Sequence, residues 1–452
     1  MQVSPIDYGR YGSEKIRRIF SYEGRLERML LVEAAVAKVQ AKYGIIPPSA
    51  AVVISEKANL NSVSPKRVKE LEKELKHETV AVVEALAEAC GEAGEWVHYG
   101  LTSNDVLDTA LGLMLKDALG IIENKMKDLL KAFVDLAGRY KGTVMVGRTH
   151  GQHALPITFG FKVACWIHEM CRNLDRLEEL KKRVLVGKIR GAVGTGEELG
   201  EDALRIEREV LKELGLKPAE GSTQIVPRDV YAELLCFAAL LASSLAKYAE
   251  EVRNLQRPEI LEVAEPFEIK RQVGSSVMPH KQNPVYCESI CGLAKVLRSY
   301  VVAALENIML WHERDLTNSS CERMVIPESV ILLEEMLTRS VKVFSNLVVF
   351  PENMKKNLEV TEGRNMAAIV ALKLGRKIGR RKAYWHVRNL ALKSARERKK
   401  FKEVLLEDDI VKRYLGPNDI EEALNPEKHI GKSIELVEEA VKKAKRYLRF
   451  SA

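Results

Sequence analysis

A chain of 452 residues is long enough to bury a sizeable core and to divide into two or three domains. Hydrophobic residues at 46% and charged residues at 30% fit a soluble globular protein and exclude a disordered chain. The formal charge of +8 is unevenly spread: twelve Lys/Arg between Arg376 and Lys402 face one acid, Glu397, so the remainder is slightly acidic.

The first segment, "MQVSPIDYGRYGSEK", lacks the apolar stretch of a secretion signal, and a cytoplasmic location is expected. Positions three and four apart, such as Leu26, Met29, Leu30, Glu33, Ala34 and Ala37, then predict a helix. Breaks at "GIIPPSA" and "NLNSVSP" keep the helices of residues 1–100 short. No proline occurs between Pro65 and Pro156, Pro227 and Pro258, or Pro351 and Pro417, which implies long helices. The most apolar window, 231–252, carries Glu233 inside it and reads as a buried bundle helix, not a membrane span. The run 284–315 reads as one helix of roughly eight turns opening at Pro284. Alternating β-branched patterns are nearly absent. The expected fold class is all-α, with a helical part over 1–100, a long-helix central bundle over 101–350 and a basic helical part over 351–452.

Seven cysteines form no CxxC and read as buried free thiols. Cys287 and Cys291 stand one turn apart and supply only two ligands, so no metal site is expected. The glycine-rich "GKIRGAVGTGEELG" (187–200) has the wrong spacing and the wrong context for a dinucleotide fingerprint. Phosphate-loop, G-x-S-x-G and H-E-x-x-H patterns are missing as well. The basic stretch 376–402 fits a nucleic-acid surface, a solvated helix face or a field that attracts an anionic metabolite. With no aromatic-rich surface beside the charges, nucleic acid ranks behind the other two.

Six of the nine histidines lie in polar, glycine-bearing stretches: His77, His98, His150, His153, His280 and His312. One such histidine alone reads as structural. Several that combine with Thr/Ser, Arg/Lys and Gly suit anion binding and proton transfer, which packing does not require.

Three of these stretches carry a resemblance. "GSSVMPHKQNP" (274–284) resembles the signature loop of the fumarase/aspartase superfamily, and "VHYGLTSNDVLDTA" and "GRTHGQHALPITFG" resemble its other two shared segments, in the same order. Within it, His280 before the lysine, "WHERDLTNSSCERMVIPES", the early "GRY" and "KHE" are similar to the adenylosuccinate lyases. The resemblance implies a three-domain all-α subunit with a five-helix central bundle, a homotetramer with each active site built from three subunits, and a C–N β-elimination that releases fumarate. That chemistry requires no metal or organic cofactor, and none has a motif here.

By the same resemblance Ser275 is the base and His150 the acid, with Glu288 holding the tautomer of His150 and favouring its charged form. A serine is a poor base unless its alkoxide is stabilised, which a closing glycine-led loop, Lys281 and helix-end amides supply. Lys281 and Asn283 match residues that hold the succinyl carboxylates, with Thr102 and Ser103 donating to them. Arg10, Tyr11, His77, His98, Gln224, Arg314, Ser319 and Arg323 match the nucleotide end, although a surface role for Arg10 competes with that reading. Arg314, Ser319 and Arg323 do not share one straight helix face, so a turn around "DLTNSS" is expected to bring them onto a phosphate. Lys76-His77-Glu78, expected to bind substrate, departs from the common Arg-His-Asp: lysine can hold a phosphate as a point charge but loses the bidentate fork, and the longer Glu78 shifts its carboxylate. A sister lyase or cycloisomerase without a phosphate site is the nearest alternative.

Overall fold

The computed structural model describes residues 3–268 and 271–448. Among them run eighteen α-helices, and the strands are confined to three two-stranded pairs. The longest helix, Ser103–Arg139, extends about 55 Å at the usual rise per residue. Helix starts follow local chemistry. Ser13 Oγ accepts from the Ile16 amide, and Ser64 Oγ caps the Pro65–Leu75 helix with proline at its first position. Both sequence breaks, 43–47 and 58–64, fall between helices.

Two compact units emerge. The first comprises Met1–Lys125, Asn173–Leu245 and Gly292–Thr338; the second comprises Met126–Arg172, Ala246–Cys291 and Arg339–Ala452. The helices Ser103–Arg139, Phe159–Val184, Asp229–Leu255, Val285–Glu306 and Thr317–Ser345 each contribute residues to both.

The core of the first unit gathers Leu30, Val36, Ile54, Leu86, Val106 and Ile206 from both ends of its sequence. The glycine-rich stretch that mimics a nucleotide loop belongs to this packing. A Cβ on Gly187 would meet Leu211 and Thr109 at 2.6 and 2.8 Å, so glycine is what lets the backbone approach. Lys188 and Asp105, both fully buried, pair at 2.5 Å. Asp105 also accepts the amides of Thr102, Arg190 and Gly191.

The second unit is centred on Phe133, Trp166, Tyr248 and Phe344, whose ring centroids lie 5.0–6.4 Å apart in tilted and edge-on pairs. A separate cluster around Val370, Leu374, Val387 and Phe401 packs the C-terminal helices. Half of the twelve Lys/Arg of the basic stretch lie on the Arg380–Glu397 helix, where Tyr384 and Trp385 stand exposed and Arg388 lies over the Trp385 ring. Two aromatic side chains therefore do accompany those charges.

Two local expectations change. The helix opening after Pro284 stops at Glu306, where Ile308 and Met309 turn to bond Leu305 and Glu306. Strands also appear where none was expected: Val144–Thr149 pairs antiparallel with Gln152–Thr158. The reversal places His150 at φ 54° and Gly151 at φ 72°, the two left-handed residues of a tight hairpin turn. Asp229–Leu255 is the single helix among the described residues long and apolar enough to cross a membrane by length and composition. Its Leu234, Leu241, Leu245, Tyr248 and Val252 are buried in the protein.

Lys188→Met is expected to strand the buried Asp105 carboxylate and cost about 3–5 kcal/mol. Denaturant unfolding checks this, and Asp105→Asn on the Lys188→Met background should recover part of the loss.

Candidate active site

In the first unit the Tyr22–Lys42 helix pins the second motif from below. Buried Glu33 lies 2.6 Å from His98 Nδ1, and the buried Gln40 amide donates to the Tyr99 carbonyl. Burial disfavours the charged imidazole, but the charge and hydrogen bond of Glu33 outweigh it, so the His98 pKa is raised. Thr102 donates its amide to Asp105, and Ser103 opens the following helix. The early GRY segment is tied down at the same time. Gly12 and Ser13 donate amides to Glu335 and Glu334, and a Cβ on Gly12 would meet Ile331 at 2.4 Å. Arg10 itself is exposed, and Tyr11 is half-buried.

A cleft of about 790 Å³, counting its open mouth, lies in this unit. Arg25, Asn104, Asp108, Arg228, Arg314, Ser319, Glu322 and Arg323 line it. Arg314 precedes the Thr317–Ser345 helix, Ser319 sits in its first turn and Arg323 in its second, so the change of direction brings all three to one cleft. At the cleft's floor Arg228 makes a bidentate pair with Asp108 at 2.9 and 3.0 Å and approaches Glu322 at 3.2 Å. Burial pushes the Glu322 carboxyl up to about 7. Arg314 differs from its neighbours: its Nη1 donates only to the neutral side-chain carbonyls of Asn104 and Gln224, at 2.7 and 3.0 Å. Its Nε is buried without a hydrogen-bond partner.

His77 caps the Glu78–Cys90 helix, its Nδ1 accepting from the Val80 amide at 3.3 Å. Lys76 precedes it with a left-handed backbone, φ 56°. Glu78 is shared by two guanidinium groups, Arg25 at 3.1 Å and Arg323 at 2.8 Å.

The second unit holds His150, Ser275, Lys281, Asn283 and Glu288. His150 is exposed at the tip of its hairpin. The hairpin is anchored by Arg148, which makes two 2.8 Å bonds to the fully buried Glu262. Asn357 also donates to Glu262. The 274–284 loop closes on itself. Asn283 donates its side-chain amide to the Gly274 carbonyl, and a Cβ at Gly274 would lie 1.7 Å from the Lys281 carbonyl oxygen. Ser275 Oγ accepts the amides of Val277 and Met278 at 3.3 and 3.0 Å. Gln256 donates to the Gln282 carbonyl, while Glu265 accepts the amides of Tyr286 and Cys287 at the start of the next helix. Lys281, Asn283 and Glu288 line one cleft with His280, Arg253 and Arg257. Among the described residues no hydrogen bond joins His150 to Glu288.

A family model described as "Lyase" matches residues 9–298, and one described as "Adenylosuccinate lyase C-terminus" matches 363–440. An adenylosuccinate lyase of Pyrococcus horikoshii is 53% identical over 98% of both chains. One of Methanothermobacter thermautotrophicus is 46% identical over 99% of this chain and all of its own. The chain belongs to the adenylosuccinate lyase family.

Among solved structures, a fumarate lyase from Mesorhizobium sp. BNC1 matches with TM-score 0.88 and 32% identity over 96% of this chain and 99% of its own. A 3-carboxy-cis,cis-muconate lactonizing enzyme from Pseudomonas putida matches with TM-score 0.89 and 29% identity over 98% and 100%. The all-α fumarase/aspartase-like fold is thus common to lyases and a cycloisomerase. The C-terminal match and the identities near 50% favour the adenylosuccinate lyases over that sister branch.

Four motif residues of this adenylosuccinate lyase family member have left-handed backbones: Lys76, His98, His150 and His312. Such strain in non-glycine residues concentrates where function fixes the geometry. Sequence reasoning missed Glu33, Asp108, Arg228, Glu322 and Arg25. A signal existed for Glu33, an acid on the face of a helix otherwise turned to the core.

The raised pKa of His98 gives a pH dependence. Its contribution to stability is full below the ordinary histidine value near 6.5 and disappears as pH rises through the folded value. Glu33→Gln should lower the His98 pKa in an NMR titration and flatten the stability loss that the parent protein shows above about pH 6.5.

Proposed function

We propose that this chain cleaves the C–N bond of adenylosuccinate to give AMP and fumarate. It is proposed to do the same to the succinylated aminoimidazole carboxamide ribotide of purine synthesis. The observation that carries the reading is Arg314: among the described residues a guanidinium without a carboxylate partner, beside Ser319 and Arg323 in one cleft. That arrangement suits a phosphate, which a lyase or cycloisomerase acting on a non-nucleotide dicarboxylate would not need.

In the proposed reaction Ser275 Oγ takes the proton from the carbon next to a succinyl carboxylate. The released electron pair forms the carbon–carbon double bond of fumarate, the C–N bond breaks, and His150 protonates the departing nitrogen. Two amides aimed at Ser275 Oγ suit an alkoxide there, because an oxyanion gains more from such donors than a neutral hydroxyl does. Lys281 and the neighbouring Arg253 and Arg257 supply a positive field for the carboxylate that accumulates charge. Asn283, engaged within the loop, fixes the loop's shape and reaches substrate only if that bond exchanges.

Glu288 is assigned to His150 of a neighbouring copy. A cytoplasmic homotetramer of three-domain subunits, divided near residues 100 and 350, with sites shared by three copies, belongs to the same proposal. Thr102, Ser103, His77, His98, Gln224 and Tyr11 are assigned to substrate contacts, with Arg10 and Lys76 at the phosphate end.

Purified protein incubated with adenylosuccinate should consume it, followed by absorbance. No turnover, together with activity on another succinyl compound, would reject the reading. Ser275→Ala and His150→Ala should each bind substrate yet lose about 10²-fold or more in turnover. Mixing the two inactive variants should restore part of the activity; mixed tetramers that stay inactive would reject shared sites.

A further inference from the structure

Glu78 holds an unusual position for an acid. Its carboxylate bridges Arg25, from the first turn of the Tyr22–Lys42 helix, and Arg323, from the second turn of the Thr317–Ser345 helix. Both arginines line the cleft that contains Arg314 and Ser319. The three groups come from three separate helices, so no single local element accounts for the cluster. Among the described residues Arg25 and Arg323 form their ion pairs with Glu78 alone.

We propose that Glu78 is a resident stand-in for the substrate's phosphate: it holds Arg25 and Arg323 and yields them to the incoming phosphate, which makes Arg25 a phosphate ligand. The inference rests on the reading of this cleft as the nucleotide end.

Three physical points favour the exchange. The side chains of Arg25 and Arg323 are 30% and 54% exposed, and ion pairs so open to water are weak and readily traded. A phosphate monoester carries close to two negative charges and three acceptor oxygens, so it satisfies two guanidinium forks better than one carboxylate does. Glu78 is also the first residue of its helix, where the free amides and the helix dipole favour an anion. The carboxylate therefore keeps a stabilising environment after releasing the arginines.

The exchange makes Glu78 a competitor of the ligand, and a competitor's removal strengthens binding. Calorimetric titration of the full-length protein with AMP as the probe tests this. Glu78→Gln should bind AMP about two- to fivefold more tightly than the parent, with a steeper dependence on salt and a larger AMP-induced rise in Tm. Glu78→Asp should fall between the two. Arg25→Ala should weaken AMP binding by about fivefold or more while leaving adenosine binding unchanged, and Arg25→Lys should weaken it less. In steady-state kinetics Glu78→Gln should lower KM more than it changes kcat.

If the parent protein binds AMP but Glu78→Gln binds it no more tightly, or Arg25→Ala binds it equally well, the exchange is overturned and the nucleotide reading stands. If the parent protein fails to bind AMP, both are overturned. Circular dichroism and Tm of each variant without ligand identify loss of fold, and the two conservative variants, Glu78→Asp and Arg25→Lys, keep the comparison decisive if a truncation does not fold.

Discussion

Buried carboxylates hold the irregular backbone on which this helical protein depends. Helices satisfy their own amides, whereas the breaks between them do not, and an orphaned buried amide costs free energy comparable to a lost hydrogen bond. In the first unit Asp105 serves the amides of Thr102, Arg190 and Gly191 and the Lys188 ammonium, and Asp108 serves the Val226 amide and Arg228. In the second, Glu265 caps the helix at Tyr286 and Cys287, and Glu262 fixes Arg148 in the hairpin. The "TSND" segment, the 144–158 hairpin and the end of the 274–284 loop lie in or beside such breaks.

Buried ion pairs of this kind are weak contributors to net stability, since desolvation offsets most of the attraction. Their effect here is positional. Arg228, locked by Asp108, also donates to the Val226 carbonyl and so shapes the segment from which Gln224 reaches Arg314. One arginine is neutralised as scaffold so that the next remains available as a charge. Among the described residues Arg228 meets two carboxylates and Arg314 meets none, and the proposed phosphate site rests on that contrast within a single cleft.

The long helices were legible because proline placement and apolar spacing are local properties of the chain. The motifs were legible because their order and residue types resemble a known family. The hairpin at 144–158 was not: glycines, histidines and a bulge between Val146 and Arg148 interrupt the alternation that marks a strand. The end of the helix at Glu306 was equally hidden, since "ENIMLWHERD" contains neither glycine nor proline. Partners such as Glu33 with His98, or Glu78 with Arg25 and Arg323, lie tens to hundreds of positions apart, and spacing carries no information about such pairs. The relation of Asn283 to Gly274 is nearer in sequence, yet only the closed shape of the loop reveals that its amide is already engaged.

The hairpin tip places opposing selective pressures on one position. A two-residue turn with both backbones left-handed prefers Asn-Gly, so a histidine in its first place is less stable there than asparagine. A mutant library sorted only for heat resistance should drift towards asparagine or glycine at 150. One sorted for growth that depends on turnover should keep histidine and collect its stabilising changes elsewhere. If the proposed acid is the acid, it sits at a site where thermostability and fitness diverge.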